Sequence, residues 1–587
     1  MKPTIALALL ALGAGVAFGG ERVDYERDVM PILARSCVRC HGPKKAEGGL
    51  RLDVRRRAMR GGDTGAAIVP GQPAKSVLLA RIHATDDKRM PPSDPSLTDK
   101  QKALLKAWIE QGAAWPDALA GTESYESHWA FRAVTSPKVP SAKQRERVRV
   151  RNPIDAFILA KLEANGWALS PEAARPTLLR RLHLDLIGLP PTLKEIDEYL
   201  NECASATPQA AYEKAVDRLL ASPHFGERWG RHWLDLARFA ESDGYENDRI
   251  RPDAWRFRDW VIDAFNKDLP FDQFTIEQLA GDLLPDATLA QKTAAGLHRH
   301  TLWNSAASAD KEEFRTLAIK DRTDTTAGIW MGLTFGCAKC HSHKYDPITQ
   351  REYYQLYAFF NNTNHQDAPI PGDKKGSIMT LAATQRPTHV HRRGSFLDKG
   401  DEVTPAVPAF LPPLNARGKI ADRLDLARWL VDPRHPLTAR VAVNHLWQHL
   451  FGQGLVTTPE NFGTSGQAPS HPELLDWLAT EFVRLKWSRK AMIRTIVMSS
   501  AYQQASIVDR STLKQDPNNA LLSRQNRFRV DAEIVRDLAL AASGLLDLKL
   551  GGPSIVPPFP EGLLAQRFQA EALRMPTKDH HRRGIYI

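Results

Sequence analysis

Cys37-Val38-Arg39-Cys40-His41 is the stretch from which the rest of the chain is read. Two thiols three residues apart share one turn, where each can bond a vinyl carbon of haem, and the next residue, a histidine, then lies over the iron as an axial ligand. The pattern predicts c-type haem attachment. A second copy stands at Cys337-Ala338-Lys339-Cys340-His341. The chain holds five cysteines in 587 residues, and four of them belong to these two motifs. The fifth, Cys203, reads as an unpaired bystander near a helix end.

Upstream of the first motif, Lys2, the apolar run from Ile5 to Phe18 and the small-residue site Ala17-Phe18-Gly19 have the form of a cleaved secretory signal over residues 1–19. That run is short for a bilayer span, no later stretch reaches transmembrane length, and no cysteine follows the site to take a lipid. The expectation is a soluble periplasmic or secreted protein without a transmembrane segment. Export agrees with the motif, because haem c is attached outside the cytoplasm. The formal charge of +11 is spread along the chain, apart from the local run Arg55-Arg56-Arg57, and reads as solvated surface. No Ser-His-Asp spacing, phosphate loop or nucleic-acid motif occurs, so no nucleic-acid partner is expected.

Downstream of the signal, Val29, Ile32 and Leu33 have helical spacing and lead into Cys37, so the attachment motif ends a helix. Gly42-Pro43, Glu47-Gly48-Gly49 and the stretch Gly61 to Gly65 then predict loops. Met90 follows in Arg89-Met90-Pro91-Pro92, where the prolines hold an extended segment. Thr98 with Gln101 predicts a capping box opening a helix with Leu104, Leu105, Trp108 and Ile109 on its apolar face. Helix, CxxCH, loops, Met-Pro and helix is the order of a small class I cytochrome c domain. It makes His41 the proximal and Met90 the distal iron ligand, a pairing that raises the reduction potential. A methionine taken alone is more often core packing, but the position of Met90 between the motif and the closing helix favours a ligand. Met30, on the attachment helix, and Met59, close to the proximal side, are weaker choices.

The residues Asp24-Tyr25-Glu26-Arg27-Asp28-Val29, Cys40-His41-Gly42-Pro43, Gly48 to Asp53, Val69-Pro70-Gly71-Gln72-Pro73 and Arg89 to Pro92, through to Trp115-Pro116, resemble the planctomycete-type cytochrome c domain, which gives residues 22–120 that assignment. A basic linker with Pro137 and Pro140 follows over 121–150. From 151 to 360, apolar residues recur at helical intervals over Ile154 to Leu162, Leu178 to Leu186, Leu193 to Leu200 and Tyr212 to Leu220. Gly188 to Pro191 breaks the helix before the N-cap Thr192, and Pro223 opens a helix whose Phe225, Trp229, Trp233 and Leu236 read as core. Leu186 to Thr192, Arg258-Asp259-Trp260-Val261-Ile262 and Asp268 to Phe274 resemble the uncharacterised helical domain that follows this cytochrome in the family. The resemblance implies a fold there and no reaction.

The second motif admits three readings: a second haem c with His341 proximal, a Cys337–Cys340 disulfide, and a Cys/His metal site. Haem is placed ahead, because the first motif already requires export and attachment. His343 is too near His341 in sequence to reach the opposite face of the same iron. A distal ligand has to come from His298, His300, Met331, His365, His389 or His391, and without one the iron keeps an open position. The carboxylates Glu241, Asp243, Glu246 and Asp248 read as a solvated loop pairing with Arg249 and Arg251, ahead of a metal or acid/base site. Glu312 and Arg315 read as an ion-paired helix face.

Residues 361–415 read as a connector with one alternating stretch, Thr388 to Arg393, able to form a strand. Amphipathic spacing returns over Arg423 to Leu430, Arg440 to Leu450, Pro472 to Leu485 and Ala491 to Ser500, so 416–587 is a second helical domain. His445 and His449 have the spacing of half a zinc site but lack the glutamate of HExxH. Leu426 to Leu430, Trp447 to Gly452 and Ser470 to Ala479 resemble the family's second uncharacterised domain, in which arginine usually replaces His445. Arg583-Gly584-Ile585-Tyr586-Ile587 stops in mid-pattern for that domain, which predicts a further C-terminal part.

The expected fold is mainly α: a class I cytochrome c-like domain followed by two larger, mostly helical domains. The expected function is haem binding and single-electron transfer to a redox partner protein, with no catalytic residue identified. One rival is a haem-linked oxidoreductase acting on an external substrate, a carbohydrate by family context alone. Another is a binding or scaffold protein with a haem tether.

Overall fold

The computed structural model describes residues 22–43, 45–121, 127–141, 150–245, 248–304, 306, 308–508, 510–555 and 580–587. The expected signal segment, parts of the linker and Glu246 lie outside them. The chain is mainly α-helical and divides into two compact units, residues 1–123 and 124–587.

In the first unit a π-helical turn, Tyr25–Val29, runs into the helix Met30–Ser36, which ends on Cys37. The closing helix Asp99–Glu110 starts from a complete capping box: Gln101 N–H donates to the Thr98 hydroxyl at 3.3 Å, and Thr98 N–H donates to the Gln101 side-chain oxygen at 2.9 Å. Such a cap contributes about 1 kcal/mol. The two terminal helices pack through aromatic rings, Tyr25 stacking on Trp115 at 4.2 Å and meeting Trp108 at 5.7 Å. Between them the loops predicted from turn residues are interrupted by two short helices, Arg55–Arg60 and Val77–His83. Ala58 anchors the first, and Leu78, Leu79 and Ile82 anchor the second in the core.

The second unit is helical where apolar spacing predicts it. Thr192 caps Leu193–Ser205 with Glu195, and Pro223 precedes His224–Leu236, whose Phe225, Trp229 and Trp233 are buried. Cys203 is buried in the same core. One hydrophobic core runs from Ala130 to Leu522, so the regions on either side of residues 361–415 pack on each other. The Tyr212 hydroxyl, for example, donates to the Val497 carbonyl at 3.0 Å. The intervening segment is more regular than a connector. Thr363–Ile370 and Asp373–Ala383 form an antiparallel hairpin turning at Gly372, whose φ of +83° favours glycine. The expected strand, Thr388–His391, pairs antiparallel with Lys399–Val403.

A buried acid ties the two helical regions together. Asp185, on the helix Arg175–Leu186, accepts a hydrogen bond from the Tyr502 hydroxyl at 2.7 Å. Burial raises its pKa to about 6, against the pull of Tyr502, Arg228 and Arg181. The folded value lies above the unfolded one of about 3.9, so this group's contribution is complete below that value and is lost as pH rises through about 6. Asp185→Asn is therefore expected to be more stable than the parent at pH 7.5, by about 2–3 kcal/mol, and to lose that advantage by about pH 4. Urea unfolding of both proteins at the two pH values measures this; parallel pH profiles refute it.

Candidate functional site

The first motif is one closed turn. Cys40 N–H and His41 N–H both donate to the Cys37 carbonyl, at 3.1 and 2.9 Å. Neither thiol is in a disulfide; Cys37 is buried in the unit's core and Cys40 is half-buried. Burial pushes the Cys37 thiol up to about 11, which keeps it protonated at neutral pH. The His41 ring lies 3.1 Å through Nδ1 from the Glu47 carbonyl. A carbonyl only accepts, so Nδ1 carries the proton and Nε2 keeps its lone pair. Burial also holds His41 below the usual histidine range, with the Glu47 carbonyl acting the other way, so the ring is neutral. Two unbonded thiols on one turn beside a neutral imidazole with a fixed tautomer fit haem c attachment.

Met90 lies on a different segment, between the helices Val77–His83 and Asp99–Glu110. Its N–H donates to the Arg81 carbonyl at 3.0 Å, and its side chain is half-buried. Of the weaker choices, Met59 packs against the core and Met30 is 36 % exposed.

The second motif is held from beneath and open above. Ala338 and Phe335 are buried, while Cys337, Cys340 and His341 are exposed, with neither thiol in a disulfide. Lys339 pairs with Asp324 at 2.9 Å, and its carbonyl accepts from Gln350 and from the Tyr354 hydroxyl, both at 3.0 Å. Gly394 crosses close to Cys340: a Cβ there would stand 2.8 Å from Sγ. His341 repeats the device of His41, its Nδ1 lying 2.8 Å from the Ser342 carbonyl, which leaves Nε2 free of that contact. His343 serves the loop, its Nδ1 accepting from Asp346 N–H at 2.8 Å.

Four of the six candidate distal ligands, His298, His300, Met331 and His391, are buried, whereas the thiols of the second motif are exposed. His298 bonds the Leu279 carbonyl, His300 the Ala240 carbonyl and His389 the Gly400 carbonyl, at 3.2, 3.3 and 3.2 Å. His365 accepts from Arg322, and Met331 is fully buried. His391 lies nearest in connectivity, since Gln350 bridges its carbonyl to that of Lys339, but its ring is buried against Tyr354.

The loop carboxylates are ion-paired or capping groups. Asp243 takes Arg251 at 2.9 Å, Glu241 takes Arg258 at 3.1 Å, and Asp248 accepts from Gly244 N–H at 2.6 Å. Glu312 and Arg315 pair at 2.6 Å. Sequence reading missed His232, which stacks on His449 at 3.5 Å beside a cavity of about 50 Å³ that His445 also lines. Its place in the apolar pattern of His224–Leu236 hides it. Burial holds all three rings well below the usual histidine range. Among the described residues no three His, Cys, Asp or Glu side chains are gathered as a metal site, and none of the helices is long and apolar enough to cross a membrane.

A family model for Planctomycete cytochrome C matches residues 37–94. Two models described as proteins of unknown function, DUF1549 and DUF1553, match residues 153–365 and 422–587. No curated protein and no solved structure matches the chain. In domain content and order, the chain belongs to the planctomycete-type cytochrome c domain proteins in which that domain precedes these two helical domains of unknown function.

Proposed function

We propose that this is an exported c-type cytochrome that passes single electrons between redox partner proteins. The observation that carries the reading is the Cys37–His41 turn, with two unbonded thiols and an imidazole whose free Nε2 is set by the Glu47 carbonyl. Bound there, haem supplies a one-electron iron couple. Cys37 and Cys40 would hold it through Sγ, and His41 Nε2 and the Met90 thioether would be its iron donors. The Glu47 carbonyl fixes the His41 tautomer and strengthens it as a donor. Attachment outside the cytoplasm places the protein in the periplasm or beyond.

Cys337, Cys340 and His341 would hold a second haem in the same way, and the shared Nδ1-to-carbonyl contact is what supports this reading. For this unit a second reading has support, an oxidoreductase acting on a small external substrate, because four of the six candidate sixth ligands are buried while the motif's thiols are exposed. Cys337→Ala/Cys340→Ala is expected to lower the pyridine haemochrome yield by one haem per chain. The parent's ferrous form should bind carbon monoxide, and that double variant should lose the response. An unchanged haem yield removes the second haem; absence of carbon monoxide binding removes the open site.

A further inference from the structure

Separately from the haem motifs, the helical unit carries an open cleft of about 280 Å³, just under the usual size of ligand sites. The hairpin residues His365 and Asp367 form one side of it, and Asp243, Arg249, Arg299 and Trp303 form others. Its carboxylates are already neutralised. Asp243 takes Arg251 at 2.9 Å and Asp367 takes Arg299 at 2.8 Å. Asp253 takes Arg256 at 3.1 Å and also accepts from the Ser377 hydroxyl at 2.8 Å.

Two guanidinium groups are left over. Arg249, in the wall, has no ion pair among the described residues. Arg322 is buried behind the wall and makes no ion pair either. It donates to the His298 carbonyl at 2.8 Å, to the Thr363 hydroxyl at 3.1 Å and to Nε2 of His365. A guanidinium only donates, so Nε2 of His365 is the acceptor and Nδ1 bears the proton. That Nδ1–H has no protein acceptor among the described residues, and its ring is exposed as part of the wall. Partial desolvation by the side chains packed round one edge of the ring, with Arg322, Arg299 and Arg251 nearby, holds His365 below the usual histidine range, and the Arg322 donation keeps it a neutral donor with net positive charge around it. The Trp303 ring stands 5.3 Å from it and gives the cleft an apolar face.

We propose that this cleft binds a small organic carboxylate, its anionic group accepting from His365 Nδ1–H and Arg249 and its apolar part lying against Trp303. The uncompensated charge of Arg322 behind His365 selects the anion, and the indole selects an organic body over a bare inorganic ion.

Calorimetric titration of the full chain with sodium benzoate tests the site, with benzamide as the neutral analogue and sodium sulfate as the bare anion. Benzoate is expected to bind at one saturable site, at least about tenfold more tightly than benzamide or sulfate. Trp303→Ala is expected to weaken benzoate about tenfold and Arg249→Ala about threefold. The Arg249 side chain makes no hydrogen bond in the described fold, so that variant keeps the structure intact. His365→Phe should abolish binding, with its melting temperature checked alongside. Absence of saturable heat from benzoate, equal binding of benzamide, or sulfate binding as tight as benzoate and indifferent to Trp303→Ala overturns the proposal.

Discussion

A chain carrying Cys37→Ala and Cys40→Ala is expected to lose one covalent haem, all of it from the N-terminal domain, by pyridine haemochrome assay. The effect is large because the thioethers are the covalent link: without Sγ at both positions, His41 and Met90 could hold haem only as axial donors. The fold also makes the two thiols unequal, which can be read without haem. Cys37 is 8 % exposed, sits in the core and is held as a protonated thiol, whereas Cys40 is half-buried. Thiolate is the reactive form, so in haem-free protein iodoacetamide should label Cys40 well before Cys37. Equal labelling would mean that the turn is not closed as described. Met90→Ala probes the other axial position. It should keep the covalent haem but lower the reduction potential and remove the weak long-wavelength band of a thioether–ferric bond. An unchanged spectrum excludes Met90 and turns attention to Met59, which packs against this unit's core.

The helices were legible because local and tertiary demands agree at them. Thr98 and Thr192 announce caps that form, and Leu178, Leu182 and Leu186 mark a face that is buried. The hairpin over residues 363–383 was not legible. Thr363 to Ile370 alternates poorly, because most of its side chains face solvent and the backbone ladder to Asp373–Ala383 holds it. Val77–His83 was readable in retrospect from Leu78, Leu79 and Ile82, but the surrounding glycines and prolines masked the spacing. The sites divide the same way. A CxxCH motif is contiguous, so its three functional side chains follow from sequence. The His232–His449 stack and the Arg322–His365 relay join residues more than forty apart, and only the packing of helices and hairpin brings them together.

The largest stability effect expected outside the haem site is at Arg583. Its guanidinium, 3 % exposed, bonds Glu227 at 2.5 Å and Asp537 at 2.8 Å, and these acids are 1 % and 2 % exposed. It also donates to the Ile187 carbonyl at 3.0 Å, in a turn where a Cβ on Gly188 would lie 2.9 Å from the guanidinium. Glu227 is further bonded by the Tyr586 hydroxyl and His224, both at 2.7 Å. Burial pushes Glu227 up, yet His224, Arg583 and Tyr586 together pull it below the usual range, so it remains ionised. Arg583→Ala leaves two buried carboxylates without their cation and is expected to cost about 3–5 kcal/mol, far more than a surface pair. The cost comes from stranded charge rather than lost attraction, so neutralising the partners should reverse most of it. Arg583→Met combined with Glu227→Gln and Asp537→Asn is expected to unfold in urea at a concentration much nearer the parent's than Arg583→Ala alone does. If the single variant loses less than about 1 kcal/mol, the network is screened by water and is not the clamp its burial implies. If the triple variant is no better than the single, the arginine acts through packing against Ile187 and Gly188 instead of through charge.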